Sequence, residues 1–459
     1  MSAIRSLRRG ALGLVLSLAA CEPVRAPPAV AEGPRPKAVP EGAISAIAGA
    51  ARPIEGTASD YSDILAAGGG SSRILLGEST HGTHEFYRER ARISRRLIEQ
   101  HGVGAVAIEG DWSPTWRVNL YVRGLGADSS AEQALSGFTR FPDWMWPNSD
   151  FRDFVEWLRA WNLERPAAER VGLYGMDVYD LYEAADAAVV WLSERDAAAA
   201  ARAQSLYRCF RPYRGDTGAY GEATQGGRVS CREEAEAVVA EVGRMPRPRD
   251  PIEAERHFAA VRAAASVAAA EDYFRTAYAG SLAWNVRDRR MERNVEEIAG
   301  HVASLSGRPG KVVIWGHNSH VGDARATSAA NRGELNLGQL MRQRHGASAF
   351  LIGFFSYEGR VFAAPEWDRP GRVYAMRPAL PGSYSASFRE TGLANFSLLI
   401  RGNEAVRRAL AGPMLERAIG VVYLPESERL SHYFDARLAE QFDAAIFFDR
   451  STAVAPLRR

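Results

Sequence analysis

The sequence predicts an α/β fold: a mostly parallel sheet flanked by helices, with a long helical insertion covering one edge of it. Three observations predict this. The apolar runs are continuous rather than alternating, so both faces of each strand are covered, as in a parallel sheet between helical layers. Segments of helix length separate those runs. Between Leu181 and Leu305 the strand signals stop and Ala, Glu and Arg take over, while Met291, Val295, Ile298, Val302 and Leu305 recur at helical spacing as a core stripe.

In chain order, residues 1–20 read as an export signal: Arg5, Arg8 and Arg9 precede the apolar run "ALGLVLSLAA", which is too short to span a bilayer. Its end, Leu18-Ala19-Ala20-Cys21, resembles the lipobox of bacterial lipoproteins, which implies lipidation of Cys21. Glu22 differs from the inner-membrane retention signal, so the resemblance favours the outer membrane, facing the periplasm. Residues 21–43, with six prolines and almost no large apolar side chain, form the expected tether, and packing begins near Ile44. Without the leader the chain is close to neutral, and it has no basic run interleaved with aromatics, so no nucleic-acid partner is expected.

The folded domain, residues 44–459, carries the expected strands "RILLGE" (Arg73 to Glu78), "GAVAIEGD" (Gly104 to Asp111), "VGLYGMD" (Val171 to Asp177), "KVVIWGHN" (Lys311 to Asn318) and "AFLIGFF" (Ala349 to Phe355). "FSLLI" (Phe396 to Ile400), "GVVYL" (Gly420 to Leu424) and "AAIFF" (Ala444 to Phe448) follow. The helical insertion occupies about 181–305. Cys209 and Cys231 lie within it; in an exported chain their pairing would stabilise by about 3 kcal/mol, and two unpaired thiols are the competing account.

Ionisable groups follow four of the apolar runs: Glu78 and His81 after the first, Glu109 and Asp111 after the second, Asp177 after the third, His317 and His320 after the fourth. Open α/β sheets bind ligands outside the carboxyl ends of their strands, so four segments deliver chemistry to one edge. Arg90 lies four residues after Phe86, on the inward stripe of the first helix, and Arg287 and Asp288 lie one turn ahead of Met291, on the core-facing stripe. Buried charges there need partners, which either a polar cleft or a plain structural ion pair supplies.

Groups of these types at one edge fit acid–base chemistry, which needs a base that works near neutral pH, a group that stabilises developing charge, and a pocket. Histidine has the intrinsic pKa; Glu78 or Glu109 can fix its tautomer, and Arg90 or Arg287 can hold the carboxylates or a developing oxyanion. No Gly-x-Ser-x-Gly elbow is present, and the cysteines are far from any histidine motif, which leaves water activated by histidine. A metallohydrolase built on His81, His84, His317, His320 and the acids stays open as an alternative, against which stands the lack of His-Glu-x-x-His. A binding protein without turnover is the other alternative. Trp112, Trp116 and Tyr121, with Phe141, Trp144 and Trp146 in the turn-rich "FPDWMWPN", are expected to line a pocket for a bulky ligand, Trp112 and Trp144 foremost.

The stretches "LGESTHGTHEFYRERARISRRLIEQHGVGAVAIEGDW", "RDRRMERN" and "WGHNSH", in that order, together resemble the erythromycin esterase family, and "PGSYSASFRETG" extends the likeness toward the C-terminus. The resemblance implies an α/β core with a helical lid that hydrolyses a macrolide lactone without metal or other cofactor. It implies His81 as general base, with Glu78, Arg90, Glu109 and His317 in the same site. His320, Arg287 and Asp288 match further family positions. A small-molecule ester or lactone is the implied substrate. A lipid anchor departs from the soluble resistance enzymes of that name, which bears on the substrate more than on the chemistry. Cys21→Ala is expected to move the protein from the membrane to the soluble fraction and to abolish incorporation of labelled fatty acid.

Overall fold

The computed structural model describes residues 42–227, 229–278 and 283–457. The expected export signal, the lipidation site Cys21 and the tether as far as residue 41 lie outside the described residues. Packing starts with a helix at Ala43–Ala50, whose Ala43 and Ile47 are buried.

The strands in chain order are β1 (Arg52–Pro53), β2 (Arg73–Leu76), β3 (Ala105–Ile108), β4 (Gly172–Gly175), β5 (Val312–Trp315) and β6 (Ala349–Ala363). They continue with β7 (Arg372–Met376), β8 (Asn395–Leu399), β9 (Met414–Arg417), β10 (Tyr433–Ala436) and β11 (Ala444–Ser451). One sheet runs in the order β1-β8-β11-β6-β2-β5-β3-β4, with β7 added to β6, and β9 and β10 form a separate ribbon. From β11 to β4 every neighbouring pair is parallel; β1, β8 and β7 are joined antiparallel. Successive residues of the central strands serve opposite cores, Leu75, Ala107 and Ile314 one face, Leu76, Val106 and Trp315 the other. That double burial is why the runs are apolar without alternation.

The insertion is a set of helices whose longest members are Pro251–Tyr278 and Ala283–Ser306. Within it Cys209 and Cys231 are joined by a disulfide. Its attachment to the sheet is ionic as well as apolar. Glu255, fully buried, accepts from Asn119 Nδ2 and Tyr174 OH at 2.8 Å and from His301 Nε2 at 2.7 Å, with Arg123 Nη2 at 3.3 Å. One carboxylate thus ties the insertion's long helix to the helix after β3, to β4 and to the last insertion helix.

Two expectations need correction. Gly420 to Leu424 is not a strand: Ile419 and Val422 make only single bridges, to Thr80 and Ala364. Val421 O and Tyr423 N bond to Ala364, just after β6, Leu424 N to the His432 ring, and the preceding Ile419 to the His81 turn, so the segment does not join the sheet. β6 runs well past Phe355 to Ala363, because its half-exposed second part finds partners in β7 and β11.

Burial opposes the charge on Glu255, but Arg123 and then His301 and Tyr174 outweigh it and hold the carboxyl at about 2, below its ordinary 4.5. A depressed carboxylate contributes stability that is present above the unfolded value and lost as pH falls toward the folded one. Here that amounts to about 3 kcal/mol, lost between about pH 4.5 and about pH 2. Glu255→Gln, which leaves Arg123 buried without its anion, is expected to cost about 3–5 kcal/mol in denaturant unfolding.

Candidate active site

β2, β5, β3 and β4 are neighbours in the sheet, so the residues following them stand side by side: Glu78 and His81, then His317, then Glu109, then Asp177. The turn after β2 is shaped by two glycines. A Cβ on Gly77 would strike the Asn318 amide oxygen and the Ile352 carbonyl, and one on Gly82 would strike the Phe362 carbonyl. Leaving out both side chains lets the turn press against β6 while Glu78 and His81 face the strand ends.

His81 Nδ1 lies 2.9 Å from Glu78 Oε1, and Glu78 Oε2 accepts from Arg90 Nη2 at 2.7 Å. All three side chains are buried. With Nδ1–H donating to the carboxylate, the neutral ring carries its lone pair on Nε2. Arg90 comes from the helix His84–His101 on the stripe shared with Phe86, Ile93 and Leu97, and its guanidinium lies over the rings of Tyr87 and Trp315 at 4.5 and 4.9 Å. His84, at the start of that helix, points away and pairs with Asp150 at 2.8 Å.

A second cation organises the other half of the edge. Arg287 donates to Asp177 through Nε and Nη2 at 2.8 and 2.7 Å and to Glu109 Oε1 through Nη2 at 2.8 Å. His320 lies behind it, with Nδ1 at 2.9 Å from Asp288 Oδ1 and Nε2 at 2.9 Å from Arg287 Nη1 and 3.5 Å from Glu109 Oε1. Burial disfavours the imidazolium, yet Asp288 and Glu109 outweigh it and push His320 up to about 10. Burial likewise opposes ionisation of Glu109, but His320 and Arg287, then His81 and the backbone N–H of His317, hold it well below the usual carboxylate range. Trp284 stacks on the His320 ring at 4.2 Å.

His317 has the opposite character. Burial, then the neighbouring His81, keep it well below the ordinary histidine value, so it is a neutral ring. Its centroid is 4.9 Å from that of His81, its backbone N–H donates to Glu109 Oε2 at 2.8 Å, and its Nδ1 accepts from Ser319 N at 3.2 Å. The ring proton therefore sits on Nε2.

These groups open on a cleft of about 350 Å³ whose walls include His81, Glu109, Asp111, Asp177, Tyr179, Asp180, Arg140 and Arg287. Tyr182, Glu183 and Thr217 of the insertion also line it, as do Pro142, Met145, Trp146 and Trp367. Glu78, Arg90, His317, His320 and Asp288 stand behind the wall, against the residues that face it. Sequence reasoning did not single out Arg140, which donates to Asp111 Oδ2 at 2.6 Å, nor Asp180, which accepts from the backbone of Ser113 and Ala184. Burial and then the Asp111 carboxylate push Asp180 up to about 7. The position of Arg140 just before the aromatic loop was the available signal.

Neither Trp112 nor Trp144 lines the cleft, contrary to expectation. Trp112 opens the helix Trp112–Val122 and stacks on Trp116 and Tyr174 at 6.2 and 6.0 Å, under Phe258 of the insertion; the preceding residue, Asp111, takes the cleft position. Trp144 packs on Phe362 at 5.2 Å, and of this irregular loop Met145 and Trp146 line the cleft instead.

Among the described residues no three His, Cys, Asp or Glu side chains converge as a metal-ligand set. The acids at the strand ends are matched with guanidinium groups instead, Glu78 with Arg90 and Glu109 and Asp177 with Arg287.

Comparison with known proteins fits this architecture. The fold is similar to that of a succinoglycan biosynthesis protein (TM-score 0.73, 16% identity, covering 91% of this chain and 99% of the other). It is also similar to that of a protein from Bacillus cereus (TM-score 0.74, 17% identity, 91% and 99%). A mutant of the erythromycin esterase EreC in its open conformation matches with a TM-score of 0.59 at 15% identity, over 85% of this chain and 94% of that one. The sequence description of erythromycin esterase matches residues 98–451, a span that contains Glu109, Asp177, Arg287, Asp288, His317 and His320 and begins after Glu78, His81 and Arg90. Covering more than three quarters of the sequence, that match decides the matter: the chain belongs to the erythromycin esterase family.

Proposed function

We propose that this member of a hydrolase family cleaves a carboxylic ester or lactone by direct attack of water, with His81 as general base. The observation that carries the reading is the chain His81–Glu78–Arg90 ending at the cleft wall. Glu78 holds the ring in the tautomer whose Nε2 takes a proton from water and stabilises the imidazolium that forms, and Arg90 fixes Glu78 in turn. The neutral ring of His317 against His81 adds no competing charge. Arg287, on the cleft wall with Glu109 and Asp177, is the cation that faces the charge developing on the carbonyl oxygen.

The same pairing supports chemistry that runs without metal: Glu78, Glu109 and Asp177, the acids directly after the strands, are each paired with an arginine. The substrate is a small molecule seated between the aromatic loop and the insertion, and a macrolactone of the kind the family name denotes is one member of that class. With Cys21 lipidated, the enzyme works in the cell envelope.

His81→Ala is expected to retain the fold and to lower kcat by roughly 10²–10⁴ on any ester the wild type turns over. Undiminished turnover in that variant would remove His81 from the reaction. Arg90→Gln is expected to lower kcat with little change in KM, since Arg90 touches Glu78 and not the cleft. Activity is expected to survive exhaustive chelation; loss on chelation, restored by a divalent metal, would point to a metallohydrolase. Ligand-induced thermal stabilisation with no product from any ester would point to a binding protein.

A further inference from the structure

One buried acid beside this site has no cation. Glu416, on β9, is 1% exposed, and among the described residues no arginine, lysine or histidine pairs with it. The groups acting on it are two amides. Asn318 Nδ2 lies 3.4 Å from Oε1, and the side chain of Gln441 reaches the same carboxyl. Two acceptor atoms there, Glu416 Oε2 and Gln441 Oε1, are buried with no hydrogen-bond partner. An ionised carboxyl would hold a full buried charge against two amide donors, with Oε2 unpartnered and no cation, whereas the neutral acid holds none.

The position of the cluster matters. Asn318 N donates to the Glu78 carbonyl at 2.8 Å, its Nδ2 to the Phe354 carbonyl at 3.0 Å, and its Oδ1 packs over Gly77. Asn318 thus joins the turn bearing His317 to the backbone that bears Glu78. Three residues past Glu416, Ile419 N donates to the Ser79 carbonyl at 2.8 Å and the Ile419 carbonyl accepts from His81 N at 3.3 Å. The same segment therefore grips the His81 turn through main chain and the His317 turn through the Glu416 side chain.

We propose that Glu416 is a positioning residue that works as a neutral carboxylic acid, clamping Asn318 and through it the turns that carry His81 and His317. This rests on the reading of those histidines as the reacting centre. Burial pushes the carboxyl up to about 8, and the hydrogen bonds from Gln441 and Asn318 offset that only in part. The other groups packed around it do not supply a counter-charge. Arg417, next on β9, is paired with Glu428 at 3.0 Å, and Tyr384, from the helix Tyr384–Arg389, is a neutral phenol whose own ionisation Glu416 disfavours.

The test compares the full chain with Glu416→Gln, a permanent isostere of the neutral acid, and with Glu416→Ala. In the wild type the imidazole NMR signals of His317 and His81 are expected to shift with an inflection near pH 8 that is absent in Glu416→Gln. The native state binds the extra proton, so wild-type stability relative to Glu416→Gln is expected to fall as pH rises from about 4.5 to about 8. Where an ester is turned over, wild-type kcat is expected to fall about tenfold per pH unit above that point, the slope of a single ionisation, while Glu416→Gln holds its rate. Glu416→Ala is expected to displace the His317 signals at neutral pH. An unchanged inflection in Glu416→Gln overturns the neutral acid. An inflection that disappears with no change in the kcat profile, or His317 signals unmoved in Glu416→Ala, overturns the positioning role. Absence of turnover in the wild type would count against the hydrolase reading, while the NMR and stability comparisons still decide this one.

Discussion

Everything at the strand ends depends on the pairing of buried carboxylates with two arginines. Glu78, Glu109 and Asp177 are almost completely removed from water, and a carboxylate in that position is tolerated only with a cation or several donors at hand. Arg90 answers Glu78 and Arg287 answers the other two. Neither arginine comes from a strand. Each arrives on the inward stripe of a helix, one from the helix after β2 and the other from the last helix of the insertion. Helix and sheet therefore have to dock before the edge can hold its charges.

This makes the insertion part of the site and more than a cover for it. The helix bearing Arg287 also bears Asp288, which fixes His320, and His301, which reaches Glu255. Glu255 in turn binds Arg123, Asn119 and Tyr174 beneath the sheet edge. Two ionic clusters at opposite ends of one helix thus hold it in register. Displacement of Arg287 by an ångström would leave Glu109 and Asp177 short of a cation, so the apolar stripe of that helix and the polar cleft constrain each other.

The two histidine motifs acquire different electrostatic characters from their surroundings. His320 sits in a cage of acids and is pushed toward the imidazolium; His317, deep and beside His81, is held neutral. On the proposed mechanism that division is useful, since the base has a neutral ring against it and the Arg287 guanidinium beyond. Asn318 between them belongs to neither role and instead ties the turn to β2 and β6.

Much of this was legible in the residue order. Continuous apolar runs implied the parallel sheet, because strands covered on both faces have no polar side to show, and polar residues directly after those runs marked the edge where ligands bind. The spacing from Phe86 to Arg90 and from Arg287 to Met291 was enough to place both arginines inward, since helical periodicity is local. Partners across the fold were not legible. Nothing in the sequence matches Arg287 with Glu109 and Asp177, or Glu255 with Arg123, because those contacts join segments more than a hundred residues apart. Trp112, Trp144 and the Gly420–Leu424 segment were misread for a related reason: composition predicts that an aromatic or a valine will be buried, not which of two faces buries it. The sequence by itself determined the elements and which of their residues face inward, through periodicities that act within a few turns. Only the tertiary structure decided which charge meets which, and hence in which direction each histidine's pKa moves, because pKa values are set by desolvation and by neighbours that long-range packing alone brings within a few ångströms.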